Sequence, residues 1–283
     1  MPRIDLHIHT SASDGRFSPA DIVARAAAAG LAVIAITDHD TVDGIAPALD
    51  AARDFASLRV IPGIEISTDV PAGEAHVLGY FIDYADDSLL TALDRMRNSR
   101  LVRARRMVAR LADLGLHIKW ERVLEIAGSA TVGRPHVALA LLEEGYIESF
   151  PEAFARYIGR NGPAYVERDK MTPAQAVELI VRARGLPVLA HPLTVPEPET
   201  MLPELKAAGL IGIEVYYVEH SDEDIARLLS LSERHGLVAT GGTDYHGLDT
   251  GTETGIGDVD VPLESVERLL VLARQPELRL ASP

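Results

Sequence analysis

The chain contains no cysteine. Disulfides and thiolate metal sites are therefore impossible, and any metal must be held by nitrogen and oxygen donors. Aromatic residues make up only 5% of a sequence that is 47% hydrophobic, so alanine, valine, isoleucine and leucine must fill the core. No apolar run is long enough to span a bilayer, and no membrane partner is expected. Positive charge is scarce as well: 27 basic residues stand against 42 acidic ones, for a net charge of −15. Without a long basic run, a duplex DNA partner held through its phosphates is not expected. The acidic balance leaves an anionic substrate open, because bound cations reverse the sign locally. No signal segment is expected, since candidate site residues begin at Asp5, and the cytoplasm is the expected compartment.

What is present is a rhythm of short apolar runs and helix-like stretches. RIDLHIHT reads as a first strand, LAVIAITDHD as a second, RVIPGIEIST as a third and EAHVLGYFID as a fourth. Between the first two, SPADIVARAAAAG has Ser18 as N-cap, Pro19 at the first helical position and Gly30 at the end. VDGIAPALDAARDFA is helical in its later part. LPVLAHP, LIGIEVYY and LVATGGTDYHG follow much later as strands five to seven, and PLESVERLLVLARQ closes the chain as a helix. The stretch from 89 to 170 is helical in character and has no comparable strand, which reads as an inserted subdomain within a domain formed by residues 1–88 and 171–283. Alternating strands and helices imply a parallel α/β fold. A barrel fits better than an open sheet, since no GxGxxG follows the first strand and polar residues end nearly every strand.

Those polar residues are His7, His9, Asp14, His39, Glu65, His76, His191, Asp244 and His246. In a parallel barrel the C-terminal strand ends meet at one face, so residues hundreds of positions apart converge. The i, i+2 spacing puts His7 and His9 on one side of their strand, and Asp244 and His246 likewise. Any one of them is readily a hydrogen-bonded core residue. Six imidazoles and three carboxylates in one pocket, however, are costly to bury without cations. Zinc, manganese, iron and cobalt all suit such donors. Asp5 shares the face of His7 and His9 and reads as a partner that orients an imidazole. Asp38 and Asp40 read as exposed loop residues or as further partners of this kind. Tyr216 and Tyr217 end strand six and His220 follows it; these read as loop-side residues near the barrel face, with substrate contact as the other reading.

The ordered series DLHIHTSASDG, ITDHDT, PGIEIS, AHVLGY, LAHP and GTDYHG resembles the PHP (polymerase and histidinol phosphatase) metallophosphoesterases. That resemblance implies a distorted seven-stranded (β/α)7, TIM-like barrel and a cofactor of two or three divalent metal ions, manganese first. It implies one metal on His7, His9, Glu65 and Asp244, a second sharing Glu65 with His76 and His191, and a third on Asp14, His39 and His246. Glu65, His191 and Asp244 then carry catalysis. The GRPHVA segment of the insertion resembles the stand-alone phosphatases of nucleoside 3′,5′-bisphosphates, making a small nucleotide the expected substrate and short RNA a further one.

Arg134, with its bidentate fork, and His136 are candidates to clamp a phosphate, with Arg160 and Lys170 behind them. The other reading of Arg134 is an exposed helix start with Pro135 next to it. Most arginines of RNSRLVRARRMVAR are expected on a solvated face. Three rival functions are a 5′-to-3′ exonuclease or phosphodiesterase on RNA or DNA ends, a histidinol-phosphate type phosphatase, and a metal-binding module without turnover.

Overall fold

The computed structural model describes residues 3–70, 73–128, 132–167, 171–195, 197–247 and 254–274. The chain divides into two compact units, one formed by Met1–Leu90 and Met171–Pro283, the other by Thr91–Lys170.

The first unit is built on a seven-stranded sheet in the order β1-β2-β3-β4-β5-β6-β7. Its strands are β1 (Arg3–Ile8), β2 (Leu31–Ile36), β3 (Arg59–Val70), β4 (Gly73–Tyr80), β5 (Leu186–Leu189), β6 (Gly212–Tyr217) and β7 (Val238–Gly242). The ends of the order meet, because Ile8 bridges Tyr245 in parallel and His9 N–H donates to Tyr245 O at 2.9 Å. The result is a distorted, nearly closed (β/α)7 barrel. Helices α1 (Pro19–Ala28) and α2 (Ile45–Ala51) lie between the early strands, and α3 (Asp87–Asp113) leaves β4. In α1 the Ser18 hydroxyl accepts from Asp21 N–H, with Pro19 opening the helix, which satisfies one of its free amides.

One expectation needs correction. The strands do not all run the same way: β4 is antiparallel to both β3 and β5, while the other neighbouring pairs are parallel. β3 and β4 form an antiparallel arm from Gly63↔Tyr80 to Val70↔Gly73. His76 therefore reaches the mouth from the first half of its strand, not from its C-terminal end. Short-range hydrophobic pattern fixes the period of a strand but carries no direction.

Strands that are buried on both faces need apolar side chains on the outside. Ile34 and Ile36 pack there against Ile22, Val23 and Ala26 of α1, while Ile4, Leu6, Ile61, Leu78 and Val188 pack with one another in a separate core cluster. Gly242 marks the tightest approach between β7 and β1. A Cβ there would lie 2.4 Å from His7 N and 2.8 Å from Asp5 Oδ1, so only glycine lets the two strands close beneath His7.

The second unit has its own core, formed by Val108, Leu111, Val123, Val137, Leu141 and Ile158 among others. It comprises most of α3 with α4 (Trp120–Ala127), α5 (Arg134–Glu143) and α6 (Phe150–Ala153), and no strand among its described residues. Helices α7 (Pro173–Arg182), α8 (Leu202–Ala208), α9 (Asp222–His235) and α10 (Leu263–Arg274) complete the first unit. No helix among the described residues is long and apolar enough to cross a membrane.

Candidate metal centre

The pairing of β1 with β2 shifts register between Asp5 and Ile8, so Ile4 and Leu6 join one core cluster and Ile8 another, while His7 and His9 are both buried at the mouth. At the mouth the rings of His7 and His9 lie 5.2 Å apart, His9 and His246 4.2 Å, His9 and His39 4.6 Å, His39 and His76 5.0 Å, and His76 and His191 5.0 Å. Glu65, from the middle of β3, sits among them. Its Oε2 is 3.1 Å from His7 Nε2, 3.1 Å from His9 Nε2 and 3.2 Å from His39 Nδ1. Its Oε1 is 2.9 Å from His76 Nδ1 and 3.1 Å from His191 Nε2. Asp244 Oδ1 is 2.9 Å from His9 Nε2 and 3.2 Å from His7 Nε2. Asp14 reaches His246 at 3.5 Å, His9 at 3.6 Å and His39 at 3.9 Å. All nine strand-end residues singled out from the sequence thus occupy one cluster.

Their donor atoms converge as three groups: His7, His9, Glu65 and Asp244; His9, Asp14, His39 and His246; and His39, Glu65 and His76. Three features differ from the assignment that the resemblance implies. His191 is in none of these groups, although its Nε2 lies 3.1 Å from Glu65 Oε1. His39 faces Glu65 through Nδ1 and Asp14 through Nε2, so it touches two groups instead of one. His9 does the same.

The chemistry of the donor set fits divalent cations. Tetrahedral ligands at 2.0–2.1 Å from a metal stand about 3.3–3.4 Å from one another, close to the 2.9–3.2 Å between the His7 and His9 nitrogens and the Glu65 and Asp244 oxygens. Both ring nitrogens of His9, Nδ1 of His39 and Oδ1 of Asp244 are buried with no hydrogen-bond partner. They are near one another but misaligned for hydrogen bonds, as lone pairs aimed at a common point would be. Orphaned polar atoms of this kind cost about 1–3 kcal/mol each unless something else satisfies them.

Backbone strain marks the same place. His191 has φ +23° and Asp244 φ +53°, both in a region that non-glycine residues rarely adopt. Such conformations cost about 1–3 kcal/mol and persist where the surroundings over-determine them.

The supporting polar groups depart from expectation. Asp5 does not orient an imidazole. Its carboxylate accepts from Thr243 N–H at 3.0 Å, Thr243 Oγ1 at 2.6 Å, Gly257 N–H at 2.8 Å and, weakly, His7 N–H at 3.3 Å. It ties β1 to β7 and the loop beyond. Asp38 and Asp40 are buried, not exposed: Asp38 accepts from Thr10 N–H, Thr10 Oγ1 and Ser13 Oγ, and Asp40 from Ser67 N–H. The residue that orients His7 is Glu214, which sequence reading missed. Its signal was present, as the single acid inside the apolar run LIGIEVYY. A carboxylate in a fully buried strand demands a partner. Tyr217 O–H donates to Asp244 Oδ2 at 3.0 Å, and His220 Nδ1 lies 2.8 Å from Val215 O.

Electrostatics follow from this crowding. Burial opposes charge on His7 and His9. The carboxylates of Asp244, Glu65 and, for His7, Glu214 outweigh it, lifting His7 well above its usual range and His9 to about 10. Burial drives His39 down to about 4. Glu65 and Asp244 are held well below the carboxylate range by the surrounding histidines despite their burial. At neutral pH His9 therefore holds a proton that a cation must displace. Metal affinity is expected to fall as pH drops from 8 to 6, by about tenfold per unit for each proton released. Calorimetric titration with Mn²⁺ in two buffers of different ionisation enthalpy would count those protons. An affinity independent of pH would contradict this picture.

In the second unit, Arg134 opens α5 and its guanidinium lies 5.8 Å from the Phe154 ring centroid. His136 Nδ1 accepts from Gly133 N–H at 2.9 Å, holding the start of that helix. Pro135 follows Arg134 in the first turn, and Arg160 is exposed. Lys170 lies outside the described residues.

Comparison with known proteins adds the family. A model described as the PHP domain matches residues 5–146. The chain is 35% identical to a 3′,5′-nucleoside bisphosphate phosphatase of Chromobacterium violaceum, over 87% of this chain and 88% of that protein. It is 34% identical to the 5′-3′ exoribonuclease Rnm of Salmonella typhimurium, over 86% of this chain and 84% of that protein. A solved structure from Bifidobacterium adolescentis, described as a metal-dependent phosphoesterase, superposes with a TM-score of 0.82 at 30% identity, covering 95% of this chain and 96% of the other.

Proposed function

The chain belongs to the PHP domain family of metal-dependent phosphoesterases, a hydrolase of phosphoric esters, and from that premise we propose that it removes the 3′-phosphate of nucleoside 3′,5′-bisphosphates to give a nucleoside 5′-monophosphate. The observation that carries the phosphatase chemistry is the cluster around Glu65, with buried donor atoms left without hydrogen-bond partners. The bisphosphate is favoured by the identity to the Chromobacterium enzyme along most of both chains.

In this reading His7, His9, Glu65 and Asp244 hold one cation, Glu65, His76 and His191 a second, and Asp14, His39 and His246 a third. Manganese is the proposed metal. Bound divalent cations would neutralise the phosphoryl oxygens and acidify a water. Asp244 turns Oδ1 toward His7 and His9 while Tyr217 O–H donates to Oδ2, so this carboxylate would hold a cation through Oδ1 and is the proposed acceptor of a water's proton. Glu65 turns Oε2 toward His7 and Oε1 toward His191, so it would contribute a ligand to both of the first two positions. Arg134, His136 and Arg160 are the proposed grip on the phosphate that does not react. Arg134→Gln is then expected to raise KM for a nucleoside bisphosphate about tenfold or more, the scale of one charge-assisted contact. KM for an aryl phosphate should hardly move. Equal effects on both substrates would remove Arg134 from this role.

A second reading is a 5′-3′ exoribonuclease. It is favoured by the Salmonella relative and by seven arginines between positions 95 and 110 of α3. Hydrolysis of a nucleoside 3′,5′-bisphosphate, histidinol phosphate and a short 5′-phosphorylated oligoribonucleotide, side by side with Mn²⁺, tests the proposal. The bisphosphate should show the highest kcat/KM. A clear preference for the oligonucleotide would replace the first reading with the second.

A further inference from the structure

We propose that Glu214 is the positioning residue that locks the first two cation positions together, an inference that rests on the metal-binding reading of the cluster.

Glu214 lies in β6 and is fully buried. Its Oε1 is 2.9 Å from His7 Nδ1, and its Oε2 accepts from the His191 backbone N–H at 2.7 Å. The other side of each histidine faces Glu65: His7 Nε2 is 3.1 Å from Glu65 Oε2, and His191 Nε2 is 3.1 Å from Glu65 Oε1. Two carboxylates and two histidines thus close a ring. Glu65 gives one oxygen to each histidine on the cation side, and Glu214 gives one oxygen to each from beneath.

The ring explains two features that are otherwise unaccounted for. With Nδ1 donating to Glu214, His7 presents the lone pair of Nε2 to the cation. His191 sits at φ +23°, and the bond from its N–H to Glu214 is what holds that backbone in place, with Thr194 Oγ1 donating to its carbonyl at 2.9 Å. A displacement of either histidine is transmitted to the other through one rigid side chain. Tight ligand geometry at one position therefore requires it at the other.

The chemistry of Glu214 is specific. Both partners are donors, so the residue must offer two acceptors. Glutamine offers one acceptor and one donor, and it must leave either His7 or His191 facing an N–H. Aspartate keeps the charge but is one methylene too short to span both.

The test uses the full-length protein, stripped with a chelator and titrated with Mn²⁺ alone, in wild-type, Glu214→Gln and Glu214→Asp forms. Amide exchange of His191 is read by NMR in metal-free samples of the same proteins. Both variants are expected to bind Mn²⁺ about tenfold or more weakly, and both should lose protection of the His191 amide. Wild-type affinity with an unchanged His191 amide, in either variant that folds, would overturn the proposal. Should neither variant fold, ¹⁵N spectra of Mn²⁺-free, Zn²⁺-loaded wild-type protein decide: Nδ1 of His7 must carry the proton, and an unprotonated Nδ1 overturns the role. If wild-type protein takes up no metal at all, the metal reading fails instead, and the His191 exchange in the variants still reports on the bond to Glu214.

Discussion

Replacing Glu65 with alanine is expected to abolish hydrolysis, lowering kcat by at least about three orders of magnitude. The basis is the position of one carboxylate among five histidine nitrogens, three on Oε2 and two on Oε1. Removing it takes a ligand from two cation positions at once. Charge stabilisation by bound cations is worth several kcal/mol in a phosphoryl transfer, and each 1.36 kcal/mol is about a factor of ten. The histidines respond as well. Although burial acts against charge on His7, His9 and His191, Glu65 helps to raise all three, so each pKa should fall when it is lost. Histidine resonances followed through a pH titration of the metal-free variant would show this independently of activity. The barrel core does not depend on Glu65, so the variant should keep its far-ultraviolet circular dichroism. A folded Glu65→Ala protein with normal metal content and full activity would sink the scheme.

Stripping the metals is the second large effect. Dialysis against a chelator should abolish activity, and adding Mn²⁺ back should restore it. It should also lower the melting temperature without unfolding the protein at 25 °C. A ligand held at a hundred times its Kd contributes about 2.7 kcal/mol to stability. For a chain of this size that corresponds to roughly 5–10 °C in Tm. The barrel survives because its strands bury their own apolar faces, Ile4, Leu6, Ile34, Ile61 and Val188 among them. What the metal-free protein must tolerate is the set of orphaned atoms on His9, His39 and Asp244. Protons occupy part of that role at neutral pH, which is why His9 is raised to about 10 against the opposition of its burial. Calorimetric scans with and without chelator would measure the shift. Unchanged Tm and activity after demonstrated metal removal would contradict the cluster's reading.

Much of this was legible in the sequence, for reasons that are local. A strand's two-residue period puts His7 and His9 on one face whatever the rest of the chain does. A strand buried on both faces must be apolar, so LAVIAI and LPVL declare themselves, and a polar residue at the end of such a run stands out. Seven runs of that kind, with helices between most of them, leave few architectures besides a barrel. The sequence by itself therefore determined the strand count, the barrel class and the list of nine residues that gather at its mouth.

Tertiary structure decided the rest. Hydrophobic period has no sign, so only the folded sheet shows β4 running against β3 and β5, carrying His76 to the mouth from the wrong end. Asp5 and Glu214 exchanged roles for a similar reason. Asp5 sits two residues from His7 in the chain, yet its carboxylate is spent on Thr243 and Gly257, while the side chain that orients His7 comes from 207 positions away. Spacing along the chain reports which residues share a face. It carries no information on which distant strand presents an acceptor to them, because that is fixed by the closure of the barrel.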